Sequence, residues 1–209
     1  MMTAQRLLYY VPWCLIEASL IGCGIAYDST SYNVTTPAEH SWNKVRSVLV
    51  VDAEFAVSPV RMLSFWDHST HQWVKAHVKD RLHEVGEFSS MMKSSICVMA
   101  FALLHGFYPM YIWNGIILAC FLELSKEMYR SRAAFAAIPE FLAPRMANYL
   151  TLMGMNYIGA SFSQMTLRKG WKFGAANNHF IHILIPTLLL VWKVLDISKM
   201  VRKTGLDKG

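Results

Sequence analysis

The sequence predicts an all-α, multi-pass transmembrane helical bundle in one domain, and three observations carry that expectation. Of 209 residues, 54% are hydrophobic and only 16% charged, a composition unlike that of ordinary soluble domains. The stretch from Ser94 to Leu122 is nearly continuous apolar sequence, long enough to enter a bilayer whose core asks for roughly 20 apolar residues per helix. The basic residues gather at the edges of apolar segments: Lys75, Lys79 and Arg81, then Arg130 and Arg132, then Arg168, Lys169 and Lys172, then Lys193 to Lys208. A net charge of +6 placed in this way suits helix ends at anionic headgroups and argues against a nucleic-acid partner.

Five apolar segments and one polar insert follow in order. The first runs from Leu7 to Tyr27 and carries Pro12 and Glu17, so it does not read as a removable leader. Residues 28–93 are mixed and are expected to lie mostly outside the hydrocarbon. Within them Trp66, Trp73, Val74, Val78 and Leu82 recur at helical intervals between His, Lys and Asp, which predicts an amphipathic helix over 65–82 lying in the interface or capping a polar cavity. Ser94 to Tyr108 and Pro109 to Leu124 are the second and third segments. Gly106 and Pro109 divide them, because proline lacks the amide hydrogen that helix continuation needs. Broken backbone at membrane depth is tolerated where it lines a protein cavity, so the break should set His105 beside one. The fourth segment runs from Met146 to Met165 and the fifth from Phe173 to Leu195, with residues 135–144 as a connector or surface helix. Residues 196–209 form a basic C-terminal tail.

Cys14, Cys23, Cys97 and Cys120 lie inside apolar runs with no metal-ligand spacing and read as small core residues, so no metal is expected. His179 and His182 share a helical face, but no nearby carboxylate completes a site, and a bundle-facing hydrogen bond is the reading. His68, His71, His77 and His83 read as a solvated or interfacial face. Asn33-Val34-Thr35 is a glycosylation sequon, a pattern too common to decide anything. The absence of G-x-S-x-G, Walker and H-E-x-x-H patterns removes most hydrolase, kinase and metalloprotease chemistries.

What remains is an imidazole in apolar surroundings, His105, and a candidate carboxylate, Asp67. An ionisable residue at membrane depth is a functional-site hypothesis by default, although on position alone a histidine satisfied by a backbone carbonyl stays equally open. A neutral imidazole takes a proton from an alcohol as that alcohol attacks an activated acyl group, and a carboxylate fixes its tautomer and stabilises the imidazolium. No metal or protein nucleophile is needed when the donor is already a thioester.

Five ordered landmarks resemble the membrane-bound O-acyltransferases, specifically their lysophospholipid acyltransferase branch. Arg6-Leu-Leu-Tyr9-Tyr10-Val-Pro-Trp13 is similar to R-x-K-Y-Y-x-x-W, with Leu8 in place of the lysine. Trp42-Asn43 stands where the branch has W-D. Trp66-Asp67-His-Ser-Thr-His-Gln-Trp73-Val-Lys75 resembles W-N-x-x-T-x-x-W-L-K. Leu104-His105-Gly106-Phe-Tyr-Pro109-Met-Tyr111 resembles W-H-G-x-x-P-G-Y, and Tyr157-Ile-Gly-Ala-Ser-Phe162 resembles Y-x-x-x-x-F. Leu104 and Met110 replace tryptophan and glycine beside the histidine, and Asp67 and Asn43 exchange the branch's asparagine and aspartate.

The resemblance implies an acyl-CoA-dependent O-acyltransferase of the endoplasmic reticulum membrane that acylates a lysophospholipid hydroxyl. His105 would be the general base and Asp67 its orienting partner. Acyl-CoA would be a co-substrate, with no further cofactor. Substrate contacts are expected from Arg6, Tyr9, Tyr10, Trp13, Trp42, Asn43, Trp66, Trp73, Gly106, Pro109, Tyr111, Tyr157 and Phe162. For Tyr9, Tyr10 and Trp13 a place in an interfacial aromatic belt stays open, and the three tryptophans Trp42, Trp66 and Trp73 also read as packing near the site. Relatives place several membrane segments ahead of the first landmark, so the chain is expected to hold the C-terminal catalytic half of the domain with the N-terminal helices missing. The alternatives are an inactive remnant that binds lipid or a partner, or a relative that acylates a protein or neutral lipid.

Overall fold

The computed structural model describes residues 2–27, 42, 44–197, 199 and 200, and these are all-helical, with no strand among them. Asn43, the sequon at Asn33 and residues 201–209 of the tail lie outside the described residues.

The chain opens with α1 (Met2–Gly22), which keeps Pro12 in its interior. Four short helices follow: α2 (Val50–Glu54), α3 (Pro59–Trp66), α4 (His68–Val74) and α5 (Asp80–Val85), with a π-helical turn at Lys75–Lys79. The stretch expected as one amphipathic helix over 65–82 is therefore broken at Asp67. Local chemistry explains the break. Asp67 leaves helical geometry at φ −126° and its side chain accepts a hydrogen bond from the Thr70 amide at 3.2 Å, satisfying a donor that a helix start leaves free. Ser58 does the same for α3, with Pro59 at the first helical position.

The long helices are α6 (Ser90–Leu104), α7 (Pro109–Arg130) and α8 (Ala143–Phe162). Short helices α9 (Leu167–Ala176) and α10 (Phe180–Val194) follow, and a 3₁₀ turn at Arg132–Phe135 occupies the connector. The α6–α7 break falls where Gly106 and Pro109 place it. Gly106 adopts φ +120°, a conformation in which a side chain is strained, and Pro109 starts α7. The fifth apolar segment is not continuous. It breaks after Ala176, where Asn178 and His179 take left-handed φ of 52° and 47°, and α9 and α10 meet at 83°.

Helix α7 is the hub of the bundle. Ile117, Leu118, Leu122 and Leu124 from α7 pack with Val98 of α6, Tyr157 and Ile158 of α8, and Ile181, Ile185 and Leu189 of α10. At one end Glu123 is 2% exposed and draws in three cations: Lys126 Nζ at 3.3 Å, and Arg130 Nη1 and Lys193 Nζ at 4.0 Å each. Ser90 Oγ donates to the same carboxylate at 3.2 Å. A buried carboxylate costs several kcal/mol unless compensated in this manner, so the cluster ties α6, α7 and α10 together. Gly154 of α8 lies against the Phe121 ring, where an added Cβ would sit 2.6 Å from a ring carbon.

No single described helix is long and apolar enough to cross a membrane, although the bent pair α9 and α10 passes that test together, and α6 is a shorter apolar helix. Helix α1 also carries open apolar surface, with Val11 57% and Leu15 63% exposed.

Two outcomes are expected from this packing. Gly154→Ala, which helix propensity alone would favour by about 1 kcal/mol, should instead destabilise the fold, because overpacking a filled contact costs ~1–3 kcal/mol. A thermal melt reads the difference, and an unchanged or raised midpoint would contradict the close α7–α8 approach. The protein should also remain in the membrane pellet after extraction with alkaline carbonate, and release into the supernatant would contradict a bilayer-embedded bundle.

Candidate active site

The break between α6 and α7 creates the site. Helix α6 ends at Leu104, and His105 caps it with its ring folded back, Nδ1 lying 2.9 Å from the Phe101 carbonyl oxygen. A carbonyl only accepts, so Nδ1 is assigned the proton and Nε2 of the neutral ring keeps its lone pair. Aromatic rings flank the imidazole, which is itself exposed: Phe101 at 4.7 Å, Phe162 edge-on at 5.3 Å and Tyr111 at 6.2 Å between centroids. Tyr111 in turn stacks on Phe162 at 4.0 Å. These contacts bring the end of α6, the start of α7 and the end of α8 to one point.

His105 lines a cavity of about 350 Å³. Its walls bring together residues far apart in sequence: Arg6, Tyr9 and Trp13 from α1, Trp66 and Asp67 from the α3–α4 junction, and Phe162 from α8. Asp67 and His105, 38 positions apart, thus face one cavity. No hydrogen bond or ion pair joins them among the described residues. Asp67 spends one oxygen on the Thr70 amide, and the imidazole Nδ1 belongs to Phe101. The orienting contact to the ring is therefore a backbone carbonyl, and the Asp67 carboxylate stands across the cavity as a charge.

A second cavity, about 560 Å³, adjoins the first through shared walls at Leu63, Trp66, Asp67, Val98, Phe101 and Leu118. Its character differs. Lys75, Lys79, Lys93 and Lys126 line it, together with His71 and His83; of the histidines expected on a solvated face, His83 borders the cavity while staying exposed and His71 is half-buried. Burial pushes the His71 imidazole below its ordinary value, and the electrostatic influence of His68, Lys79 and Lys75 adds to this against the opposing pull of Asp67. Lys126 is held in place by Glu123, Ser90 and Ser94.

Several expected contact residues lie elsewhere. Trp73 is 46% exposed with its ring tilted against His77, and Trp42 is 42% exposed against Tyr27. Neither lines either cavity; for Trp73, the break at Asp67 leaves its face of α4 outward. Tyr157 is buried in the core, its hydroxyl 3.1 Å from His182 Nδ1, so its partner is α10 rather than a ligand. Tyr10 backs the wall, its ring 5.1 Å from Trp66. Gly106 and Pro109 act through the backbone, and Tyr111 acts as the second layer behind His105. Met110, 2% exposed, fills a space left by Gly170, whose added Cβ would overlap the Met110 sulfur. Leu104 is 56% exposed and lines neither cavity.

Three residues of the site carried no sequence signal. Glu54 and Asn156 bind Arg6 in the cavity wall. Asn114 is 1% exposed, borders the His105 cavity and donates from Nδ2 to the Met110 carbonyl at 2.8 Å. Their partners are distant in sequence or are backbone atoms, and neither kind of contact leaves a motif.

The cavity geometry coincides with relationships across the whole chain. Lysophospholipid acyltransferase 2 of Arabidopsis thaliana is 26% identical over 204 residues, covering 93% of this chain and 42% of its own length. Lysophospholipid acyltransferase 1 of the same plant is 24% identical over 187 residues, covering 88% of this chain and 40% of its own length. The lysophospholipid acyltransferase of Saccharomyces cerevisiae is 29% identical over 107 residues, covering 51% of this chain and 17% of its own. The chain therefore spans about two fifths of the length of the two plant relatives it matches. The profile of MBOAT, the membrane-bound O-acyltransferase family, matches residues 1–166, and with the histidine cavity lying inside that range the chain belongs to this family.

Proposed function

We propose that the chain carries the acyl-transfer site of an acyl-CoA-dependent lysophospholipid O-acyltransferase of the endoplasmic reticulum membrane. The single observation that carries this reading is the His105 imidazole, held by Phe101 through Nδ1 so that Nε2 is left as base at the wall of an aromatic cavity. The names of the relatives supply the acceptor class.

The reaction balances with groups at hand. The lysophospholipid hydroxyl gives its proton to His105 Nε2 as its oxygen attacks the thioester carbonyl. The tetrahedral intermediate collapses with cleavage of the carbon–sulfur bond, and the imidazolium returns the proton to the departing thiolate. The products are the diacyl phospholipid and free CoA. While the ring is cationic, the Asp67 carboxylate across the cavity stabilises it. Pairing at that range is worth less than contact, since the interaction falls with distance and local dielectric. The four lysines of the adjoining cavity suit the phosphates of the CoA moiety, with the shared wall at Trp66 and Asp67 marking where the thioester would pass from one cavity to the other.

Two outcomes follow for microsomes from cells expressing the protein, assayed with radiolabelled acyl-CoA and a panel of lysolipids. His105→Ala should lose roughly a hundredfold to ten-thousandfold in turnover, the usual cost of removing a general base, and unchanged incorporation would remove it from the mechanism. Asp67→Asn isolates the charge, because asparagine caps a helix as well as aspartate does. Turnover should fall while the melting midpoint holds, and full activity would show that the charge is idle. No incorporation by the wild-type protein would favour the reading as an inactive, lipid-binding family member.

A further inference from the structure

The histidine cavity contains a second built device that the transfer chemistry does not use. Arg6 lines it with a side chain only 11% exposed. Its Nε lies 3.0 Å from Glu54 Oε1, a charge contact without hydrogen-bond alignment, and its Nη1 donates to Asn156 Oδ1 at 2.6 Å. Glu54 is itself held. Its Oε1 accepts from the Tyr10 hydroxyl at 2.6 Å, and Asn148 Nδ2 donates to the Glu54 and Ala56 carbonyls at 2.9 Å each. Helices α1, α2 and α8 are thus tied around one guanidinium.

The orientation leaves part of that guanidinium free. Nη2 makes no hydrogen bond among the described residues and is not sealed off, so its N–H groups stay accessible on a side chain that lines the cavity. Arg6 is also the one Lys or Arg lining this cavity among the described residues, whereas the adjoining cavity has four lysines. The planar fork is fixed through Nε and Nη1, and its remaining arm, Nη2, offers charge-assisted donors to a phosphate oxygen. One fixed cation suits a singly charged phosphodiester, and a cluster of lysines suits a polyphosphate.

We propose that Arg6, held in place by Glu54 and Asn156, is the anchor for the phosphate of the acyl acceptor, and that Glu54 is a positioning residue for it. The proposal rests on the acyltransfer reading for its choice of ligand, since it assigns the His105 cavity to the acceptor. It makes the site selective for a phosphate-bearing lysolipid over a monoacylglycerol of the same chain.

The test is binding, read separately from turnover. The whole chain in nanodiscs is titrated with a lysophospholipid and with the matching monoacylglycerol, using fluorescence of Trp13 and Trp66, which line the cavity. The wild-type protein should prefer the lysophospholipid. Arg6→Gln keeps a donor for Asn156 but loses the charge and the fork, and it should weaken lysophospholipid binding roughly ten- to a hundredfold, the range for a charge-assisted hydrogen bond, with monoacylglycerol unaffected. Arg6→Lys, which keeps the charge, should fall between, and it decides the matter if Arg6→Gln lacks a cooperative unfolding transition. Equal binding of the two lipids by the wild-type protein, or an undiminished preference in folded variants, overturns the proposal. Acyl transfer on the same preparations separates the two claims. Selective binding without turnover contradicts the enzymatic reading and keeps the phosphate site, whereas turnover with the same preference in wild type and Arg6→Gln does the reverse.

Discussion

Everything in this structure turns on how the chain ends α6 inside apolar surroundings. A helix end exposes carbonyl oxygens that must find donors, and at this end Phe101, Phe162 and Tyr111, which crowd together, offer none from their rings. The imidazole of His105 meets that demand by donating to the Phe101 carbonyl. One hydrogen bond therefore does two things. It satisfies the helix end, and it fixes which ring nitrogen carries the proton. The reading as a satisfied structural histidine and the reading as a base are thus not rivals, because satisfying Nδ1 is what prepares Nε2.

The two cavities share a wall but not a character. Aromatic and apolar side chains line the cavity that His105 borders, with Arg6 and Asp67 as its charged lining residues. The neighbour collects lysines from the π-helical turn, α6 and α7. Buried Glu123 holds Lys126 among these by close contact with Ser90 and Ser94, so the hub helix both packs the core and aims a cation. A two-substrate transfer needs two environments meeting at one reactive centre, and Trp66 and Asp67 stand at that meeting point.

Much of this was legible in the sequence, and the physical reason differs from place to place. Gly106 and Pro109 announce a helix break because their backbone chemistry admits little else, and His105 followed from its position beside that break. The convergence of Asp67 on the same cavity came from the ordered family motifs, since nothing local links positions 67 and 105. The α9–α10 break went unread because no proline marks it. Its signal was Asn177-Asn178-His179, as asparagine and histidine are enriched in the left-handed region. Trp73 and Tyr157 stand in motifs yet turn away from the cavities, because a one-residue break at Asp67 rotates α4 and because Tyr157 finds His182. Glu54 and Asn156 were invisible because their roles are set by tertiary contacts up to 150 positions away, and Asn114 because its partner is a backbone carbonyl, which leaves no motif.

The central claim is that His105 Nε2 removes the proton from the acceptor hydroxyl. Its most direct test is chemical rescue: turnover of a His105→Gly variant measured with added imidazoles of graded basicity. The account predicts that imidazole, entering the space left in the cavity, restores acyl transfer, and that the restored rate rises with the basicity of the added ring as general-base catalysis requires. Turnover in the variant equal to that of the wild-type protein and indifferent to added imidazole would contradict it.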